Sequence, residues 1–243
     1  MLNVLRYPDP VAAAEACGLN ILDLLAGAML THRPVTLAIS GGTSPRPMFE
    51  LFAKSGFRWA EVQIFWVDER CVPPTDSQSN FRMANETWLD PAKVPSANIH
   101  RVPTELEPHE AARKYAEDVR GPLHLPVLPF DVIHRGMGPD GHTASLFPGE
   151  PLIADREGIA AAVWVEKMHQ WRVTLLPAVL EAARNTVVLA TGEDKAEALV
   201  AVLRGPYDPM KWPAQIGARG GNTMWYLDAP ASGLLGDLPK EIA

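Results

Sequence analysis

Short runs of apolar residues alternate with amphipathic stretches along most of the chain. The runs have the length of β-strands, and the stretches between them repeat their apolar residues with helical spacing. This alternation predicts an α/β fold of three layers, in which a mostly parallel, modified Rossmann-like sheet is covered by helices on both faces. The predicted strands are 3–7, 35–39, 62–67, 99–102, 130–133, 161–165, 173–176, 186–190 and 224–227, and the predicted helices are 10–30, 45–53, 80–89, 108–120, 177–183 and 194–203.

Composition narrows the class of protein. The chain has 243 residues without an internal repeat, so we expect a single domain over residues 1–243. A net charge of −7 argues against general nucleic-acid binding and against a polybasic membrane surface. Charged and polar residues interrupt the apolar stretches before the ~18 residues that a membrane span needs. Two cysteines and no signal-peptide pattern lead us to expect a cytoplasmic protein. We also expect a monomer or a weak homo-oligomer.

Polar, glycine-rich segments follow four of the predicted strands. They are Ser40–Pro45, Asp68–Arg70, Gly136–His142 and Thr191–Lys195. In open α/β sheets, ligands bind beyond the carboxyl ends of the strands, near a reversal of strand order. We therefore expect these four segments to form one site.

The segment Ser40–Pro45 has features of an anion-binding turn. Its two glycines permit a tight turn, and its three hydroxyl residues are hydrogen-bond donors. Ser44 is expected to cap the next helix, with Pro45 at the first helical position. Free amides at such a helix start suit a phosphate, although an ordinary strand-to-helix turn would have the same composition. No Gly-Lys-Ser/Thr follows, so this is not a Walker A loop.

The loop Gly136–His142 matches the dinucleotide pattern G-x-G-x-x-G, but we reject that interpretation. Asp140 would lie beside a pyrophosphate, and Pro148 leaves little room for the required helix. The loop is better interpreted as presenting His142 for proton transfer near neutral pH, with Asp140 orienting its imidazole. A structural histidine in a turn is the alternative.

Three basic residues are further candidates for the site. Arg70 could hold an oxyanion or a phosphate with two hydrogen bonds. Lys195 lies at a helix start, where cations are mildly disfavoured. Arg172 would lie at the wrong edge of the sheet if its strand were parallel, so that strand is antiparallel or begins elsewhere. The sequence has no G-x-S-x-G elbow, the motif that would indicate a covalent serine nucleophile.

Taken together, the motifs resemble those of the 6-phosphogluconolactonase family, which shares a superfamily with glucosamine-6-phosphate isomerase/deaminase. They occur in family order, and the loop GMGPDGHTASLFPG is the most specific of them. The matching stretches are SGGTSPRPMFELF (Ser40–Phe52), VDERCVPPTDSQSN (Val67–Asn80), GMGPDGHTASLFPG (Gly136–Gly149), RVTLLPAVLEAAR (Arg172–Arg184) and TGEDKAEAL (Thr191–Leu199).

The resemblance implies an enzyme that hydrolyses 6-phospho-D-glucono-1,5-lactone to 6-phosphogluconate in the oxidative pentose phosphate pathway. It implies no metal, no organic cofactor, and a sugar-phosphate lactone as the partner. His142 would activate water, Asp140 would be its acidic neighbour, and Arg70 would serve either the phosphate or the lactone carbonyl. The phosphate-side positions would be Ser40, Gly41, Gly42, Thr43, Ser44, Arg172 and Lys195.

One strand departs from the family pattern. His134 and Arg135 occupy positions where apolar residues are expected. A buried Arg135 would need a carboxylate partner, because an unpaired buried charge costs several kcal/mol. Either the strand ends at Ile133 or a partner exists, for which Asp131 is a candidate.

Two other functions compete with lactone hydrolysis. An isomerase/deaminase shares the phosphate turn and the Asp-Gly-His loop, but it needs a further acid/base carboxylate and usually a lid. A non-catalytic sugar-phosphate sensor normally carries a DNA-binding helix-turn-helix. Only ~34 residues precede the strand 35–39, and they resemble a strand and a helix of the same sheet.

Overall fold

Parallel β-strands and the helices between them form the core of the protein. The computed structural model describes residues 3–121 and 130–236. The strands are β1 (Asn3–Tyr7), β2 (Val35–Ile39), β3 (Val62–Trp66), β4 (Asp68–Arg70), β5 (Ile99–His100), β6 (Val132–Gly136), β7 (Ala160–Val165), β8 (Gln170–Leu175), β9 (Thr186–Ala190) and β10 (Thr223–Asp228). The helices are α1 (Pro10–Met29), α2 (Arg46–Lys54), α3 (Asn80–Ala84), α4 (Pro108–Arg120), α5 (Pro177–Ala182), α6 (Ala196–Arg204) and α7 (Ala229–Ser232).

Seven strands make one sheet in the order β1-β10-β9-β6-β2-β3-β5, and every neighbouring pair is parallel. From β2 the chain proceeds outward to β3 and β5, whereas from β6 it proceeds outward to β9 and β10. The order therefore reverses between β2 and β6. A ligand crevice is expected beyond the carboxyl ends of these two strands.

Apolar packing covers both faces of this sheet, which confirms the predicted three-layer α/β fold. Helices α1 and α2 lie on one face, where Ile21, Phe49 and Trp88 are fully buried. Helices α4, α5 and α6 cover the other face. All five residues of β2 are buried, as the continuous apolar run VTLAI predicts for a central parallel strand.

A second, antiparallel sheet has the order β4-β8-β7. The chain passes from the large sheet into it at Val67, whose amide donates to Ile39 O (2.8 Å) and whose carbonyl accepts from Leu175 N (2.8 Å). The β7–β8 hairpin turns through a short 3₁₀ segment, Glu166–Met168, and through His169 in a left-handed conformation (φ 48°). Arg172 thus lies on an antiparallel strand, one of the two alternatives that the sequence left open.

The helix predicted over 80–89 is α-helical only over Asn80–Ala84 and continues as a π-helical turn over Asn85–Leu89, and several element ends are shifted by a few residues. Two further differences concern the strands near the site. The short strand β4 was not predicted, because three polar residues show no strand periodicity. Strand β6 does not end at Ile133 but continues to Gly136, because His134 and Arg135 pair with Val187 and Val188 of β9. The backbone pairing of β6 with β9 therefore extends the strand even though these two side chains are polar.

Helix α1 is long and apolar enough, by length and composition, to cross a membrane. The sequence pattern did not predict this property, because Glu15, Asn20 and Asp23 interrupt the apolar stretches of this segment. In the structure one side of α1 packs on the sheet and is fully buried at residues such as Ala13 and Ile21. The core helix of a globular protein packs in the same way.

Candidate active site

A cavity lies at the carboxyl ends of β2, β6 and β9, where the strand order reverses. The four polar segments converge there, as the strand-end argument predicts. Asp140 lies directly behind the cavity wall, bonded to His142. The other predicted site residues all line the cavity: Ser40, Gly41, Gly42, Thr43, Ser44, Arg70, His142, Arg172 and Lys195.

The turn after β2 is shaped by its two glycines. Gly42 has a positive φ of 96°, which favours glycine. Gly41 is required for space, since a Cβ there would lie 1.9 Å from Asn80 Oδ1. Ser44 does not cap the next helix as predicted: α2 begins one residue later, Pro45 occupies the cap position, and Ser44 Oγ accepts from Thr191 Oγ1 (3.0 Å). The Ser44 hydroxyl therefore ties this turn to the end of β9.

His142 is held in a compact loop after β6. Gly138 N donates to His142 O (2.9 Å), and a Cβ on Gly138 would lie 2.0 Å from the imidazole. No helix follows in residues 142–150, which agrees with the rejection of a dinucleotide loop. His142 Nδ1 lies 2.5 Å from Asp140 Oδ1. Since a carboxylate accepts hydrogen bonds, the proton of the neutral ring is on Nδ1. The Nε2 lone pair then has no hydrogen-bond partner in the part of the chain that the structure describes.

Asp140 has a second partner that sequence reasoning missed. Lys167, at the tip of the β7–β8 hairpin, forms an ion pair with Asp140 Oδ2. Its Nζ also lies 4.2 Å from the centre of the Phe147 ring, and that ring packs 4.2 Å from the His142 ring. Partial burial raises the pKa of Asp140, but hydrogen bonds from His142 and Lys167 outweigh burial and bring that pKa well below its usual range. Asp140 is therefore ionised at neutral pH.

Two arginines are direct neighbours on adjacent strands of the second sheet. Arg70 of β4 and Arg172 of β8 are directly paired in register. Like charges in such positions repel, which favours an anion between or beside them. Burial lowers the pKa of the Arg172 guanidinium, whereas Asp68, 3.8 Å away, raises it. Asp68 is in turn fixed by Ser145 Oγ (2.6 Å).

The middle residue of the Asp68–Arg70 segment has a structural role. Glu69 is buried and accepts hydrogen bonds from Asn80 N (2.8 Å) and Phe81 N (2.7 Å), the first amides of α3. Burial raises its pKa despite these bonds. Glu69 thus anchors α3 behind the cavity wall, and Asn80 at the start of that helix lines the cavity.

Lys195 reaches the cavity from the segment after β9. Gly192 there has a φ of 101°, and its amide donates to both carboxylate oxygens of Asp228 (3.1 Å each). The Lys195 side chain is 19% exposed, and its Nζ lies 2.5 Å from Asp194 Oδ2. A lysine fixed in this way differs from the solvated surface lysine that a helix start usually carries.

The two polar residues of β6 are both buried. Asp131 is not the partner of Arg135, because its carboxylate bonds instead to Thr36 and to the basic side chains of His32 and Arg184. The guanidinium nitrogens of Arg135 have no hydrogen-bond partner among the described residues. Burial lowers the pKa of Arg135 to about 10. Nothing in the structure explains why an arginine occupies this position.

Sequence reasoning missed three residues of this site, Asn80, His134 and Lys167. His134 lines the cavity, whereas the sequence marked it only as a departure from the family pattern. Asn80 lies within a matching motif, but its place on the cavity wall follows from the anchoring of α3 to Glu69. Lys167 is 27 residues from Asp140 in the chain, and only the β7–β8 hairpin brings them together. A lysine shortly before the RVTLL strand was the available signal, and it is not specific.

Comparisons with known proteins agree with this architecture. A family model described as glucosamine-6-phosphate isomerases/6-phosphogluconolactonase matches residues 8–225. A 6-phosphogluconolactonase of Haemophilus influenzae is 36% identical over 239 residues, covering 96% of this chain and 100% of that one. The crystal structure of a 6-phosphogluconolactonase from Thermotoga maritima is similar with a TM-score of 0.83 and 27% identity, covering 94% of this chain and 100% of that one. The chain therefore belongs to the glucosamine-6-phosphate isomerase/6-phosphogluconolactonase family.

Proposed function

We propose that the protein hydrolyses 6-phospho-D-glucono-1,5-lactone to 6-phosphogluconate, a step of the oxidative pentose phosphate pathway, with His142 as the general base. The observation that carries this proposal is the His142–Asp140 pair beside the cavity that the Ser40–Ser44 turn also lines. A location in the cytoplasm is part of the proposal, and the two unpaired cysteines are consistent with it.

The proposed reaction needs no covalent intermediate. A sugar δ-lactone is an activated ester, so water can attack its carbonyl carbon if a base removes a proton. The free Nε2 of His142 takes that proton, and the ionised Asp140 stabilises the imidazolium that forms. When the tetrahedral intermediate collapses, the bond from C1 to the ring oxygen breaks, and His142 returns the proton to that oxygen.

The basic side of the cavity is assigned to the phosphate. The turn Ser40–Ser44 supplies amides and hydroxyls, and Lys195 lies close by after β9. Arg172 and Arg70 are direct neighbours on adjacent strands, so we assign both to the same phosphate group. Holding the phosphate fixes the position of the lactone carbonyl, and such positioning can contribute several kcal/mol to the barrier reduction.

Lys167 is assigned a positioning role. It contacts Asp140 and Phe147, which in turn contact His142. These contacts hold the Asp140 carboxylate against Nδ1 and thereby fix the direction in which Nε2 presents its lone pair. The hairpin that carries Lys167 is thus part of the catalytic unit.

The deaminase branch of the family is less well supported. Its chemistry moves protons between two carbons and needs a further carboxylate. Among the cavity-lining residues that the structure describes, Asp68 is the one carboxylate, and it is engaged by Ser145 and Arg172. Because the Asp68 carboxylate is already bonded to these two side chains, the site favours hydrolysis over isomerisation.

A pH-stat experiment tests the proposed function. Freshly made 6-phosphogluconolactone is added to the protein, base consumption is recorded, and the spontaneous rate without enzyme is subtracted. We expect rapid catalysed base uptake and no ammonia release from glucosamine 6-phosphate. Ammonia release without lactone hydrolysis would assign the protein to the deaminase branch, and the absence of both would overturn the proposal.

A further inference from the structure

His134 is the middle residue of β6, lies beside Ser40 of the turn after β2, and belongs to the lining of the cavity. Its side chain is almost completely buried, with the residue 1% exposed. Ser40 N donates to His134 O (3.1 Å), and the same amide lies 3.4 Å from His134 Nδ1. The other ring nitrogen, Nε2, has no hydrogen-bond partner among the described residues.

These contacts define the tautomer of the His134 ring. The amide of Ser40 is a donor, so the ring nitrogen facing it must be an acceptor without a proton. Burial lowers the pKa of His134 to about 3, which keeps the ring neutral. A neutral ring carries one proton, which is therefore on Nε2. His134 thus holds a hydrogen-bond donor for which the described protein supplies no acceptor.

An unsatisfied buried donor in this position points to a ligand. The positions around His134 are apolar: Val132 lies on the same face of β6, and Val187 is its partner on β9. A histidine among valines is unfavourable unless its donor finds an acceptor. On the same cavity wall, Arg70 Nε and Arg172 Nε are also donors for which residues 3–121 and 130–236 supply no hydrogen-bond partner. Three such donors around one cavity indicate an anion.

We propose that His134 is a specificity-determining residue that donates a hydrogen bond from Nε2 to a phosphate oxygen of the ligand held by the Ser40–Ser44 turn. This inference rests on the proposed function and deepens it. As a neutral donor, His134 adds a directed contact without further positive charge. It therefore favours a tetrahedral oxyanion with an oxygen directed at β6 over anions that the cations alone would attract.

Phosphate binding by three variants tests the proposal. The affinity for inorganic phosphate and for 6-phosphogluconate is measured by calorimetry. His134→Leu should weaken both by about tenfold, the loss expected for one hydrogen bond to a charged acceptor. His134→Gln, whose amide NH₂ can replace Nε2–H, should retain affinity within about threefold of wild type. His100→Leu changes a histidine of strand β5 that does not line the cavity, and this variant should bind phosphate like wild type.

A folded His134→Leu variant with wild-type phosphate affinity would overturn the proposal. If that variant does not fold, ¹⁵N NMR of the histidine rings in the wild-type protein provides the test. We expect the Nε2–H tautomer and a shift of that resonance on saturation with phosphate, and an Nδ1–H tautomer or an unmoved resonance would also overturn the proposal. Lactone hydrolysis by wild type is a separate result, so the proposed function can fail or hold independently of His134.

Discussion

Replacing His134 by leucine should make the stability of the folded protein less sensitive to acid. The imidazole is buried, and burial lowers its pKa to about 3. In the unfolded chain a histidine has a pKa of about 6.5. Below pH 6.5 the imidazole of His134 therefore binds a proton in the unfolded state but not in the folded state. The free energy of unfolding falls with decreasing pH until the pH reaches about 3.

The size of the effect follows from the two pKa values. At pH 5.0 the unfolded His134 is about 1.5 pH units below its pKa, whereas the folded one is still neutral. Each unit corresponds to ~1.4 kcal/mol, so His134 should remove ~2 kcal/mol of stability between pH 7.5 and pH 5.0. Leucine does not titrate and should abolish this contribution.

Urea denaturation followed by tryptophan fluorescence measures the difference. Wild type and His134→Leu are compared at pH 7.5 and pH 5.0 in phosphate-free buffers, because a bound anion would stabilise the folded state. His109→Gln, which changes an exposed histidine, is the matched control for the removal of a histidine ring. Equal losses of stability in wild type and His134→Leu would refute the reasoning.

Three further predictions concern the site. Lys167→Met should lower kcat about two- to fivefold in steady-state kinetics, because a half-exposed ion pair contributes at most ~1 kcal/mol. Lys167→Arg keeps the positive charge and is the control; an unchanged kcat in Lys167→Met would show that the lysine does not position Asp140. Arg172→Ala or Lys195→Ala should reduce the preference in kcat/KM for the phosphorylated lactone over glucono-1,5-lactone by roughly 10- to 150-fold, and equal slowing of both substrates would contradict the phosphate assignment. Dialysis against EDTA should leave lactone hydrolysis intact, because the proposed base acts without a metal; activity lost and then restored by a divalent ion would exclude this mechanism.

The regular part of the fold could be predicted from local pattern. The strands 35–39 and 186–190 agree with β2 and β9 to the residue, because continuous apolar runs are typical of buried parallel strands. β4 could not be predicted, because Asp68–Arg70 becomes a strand by pairing with β8, far away in the chain. Tertiary pairing also carries β6 past Ile133.

The residues of the candidate site were predictable from the sequence only in part. The strand-end argument brought the Ser40 turn, Arg70, His142 and Lys195 to one edge of the sheet, and the structure places them around one cavity. The strand-end argument could not predict contacts between elements that are far apart in the chain. The pairing of Arg70 with Arg172 and the ion pair from Lys167 to Asp140 both require the second sheet, which local periodicity does not reveal.

The most direct test of the proposed chemistry is the catalytic constant of His142→Ala. Without the general base, kcat for 6-phosphogluconolactone should fall ~10²–10⁴-fold after subtraction of the spontaneous rate. Calorimetry should show that the variant still binds 6-phosphogluconate, because the phosphate contacts are intact. A kcat near that of wild type would contradict the account, since His142 would then be a structural residue of its loop.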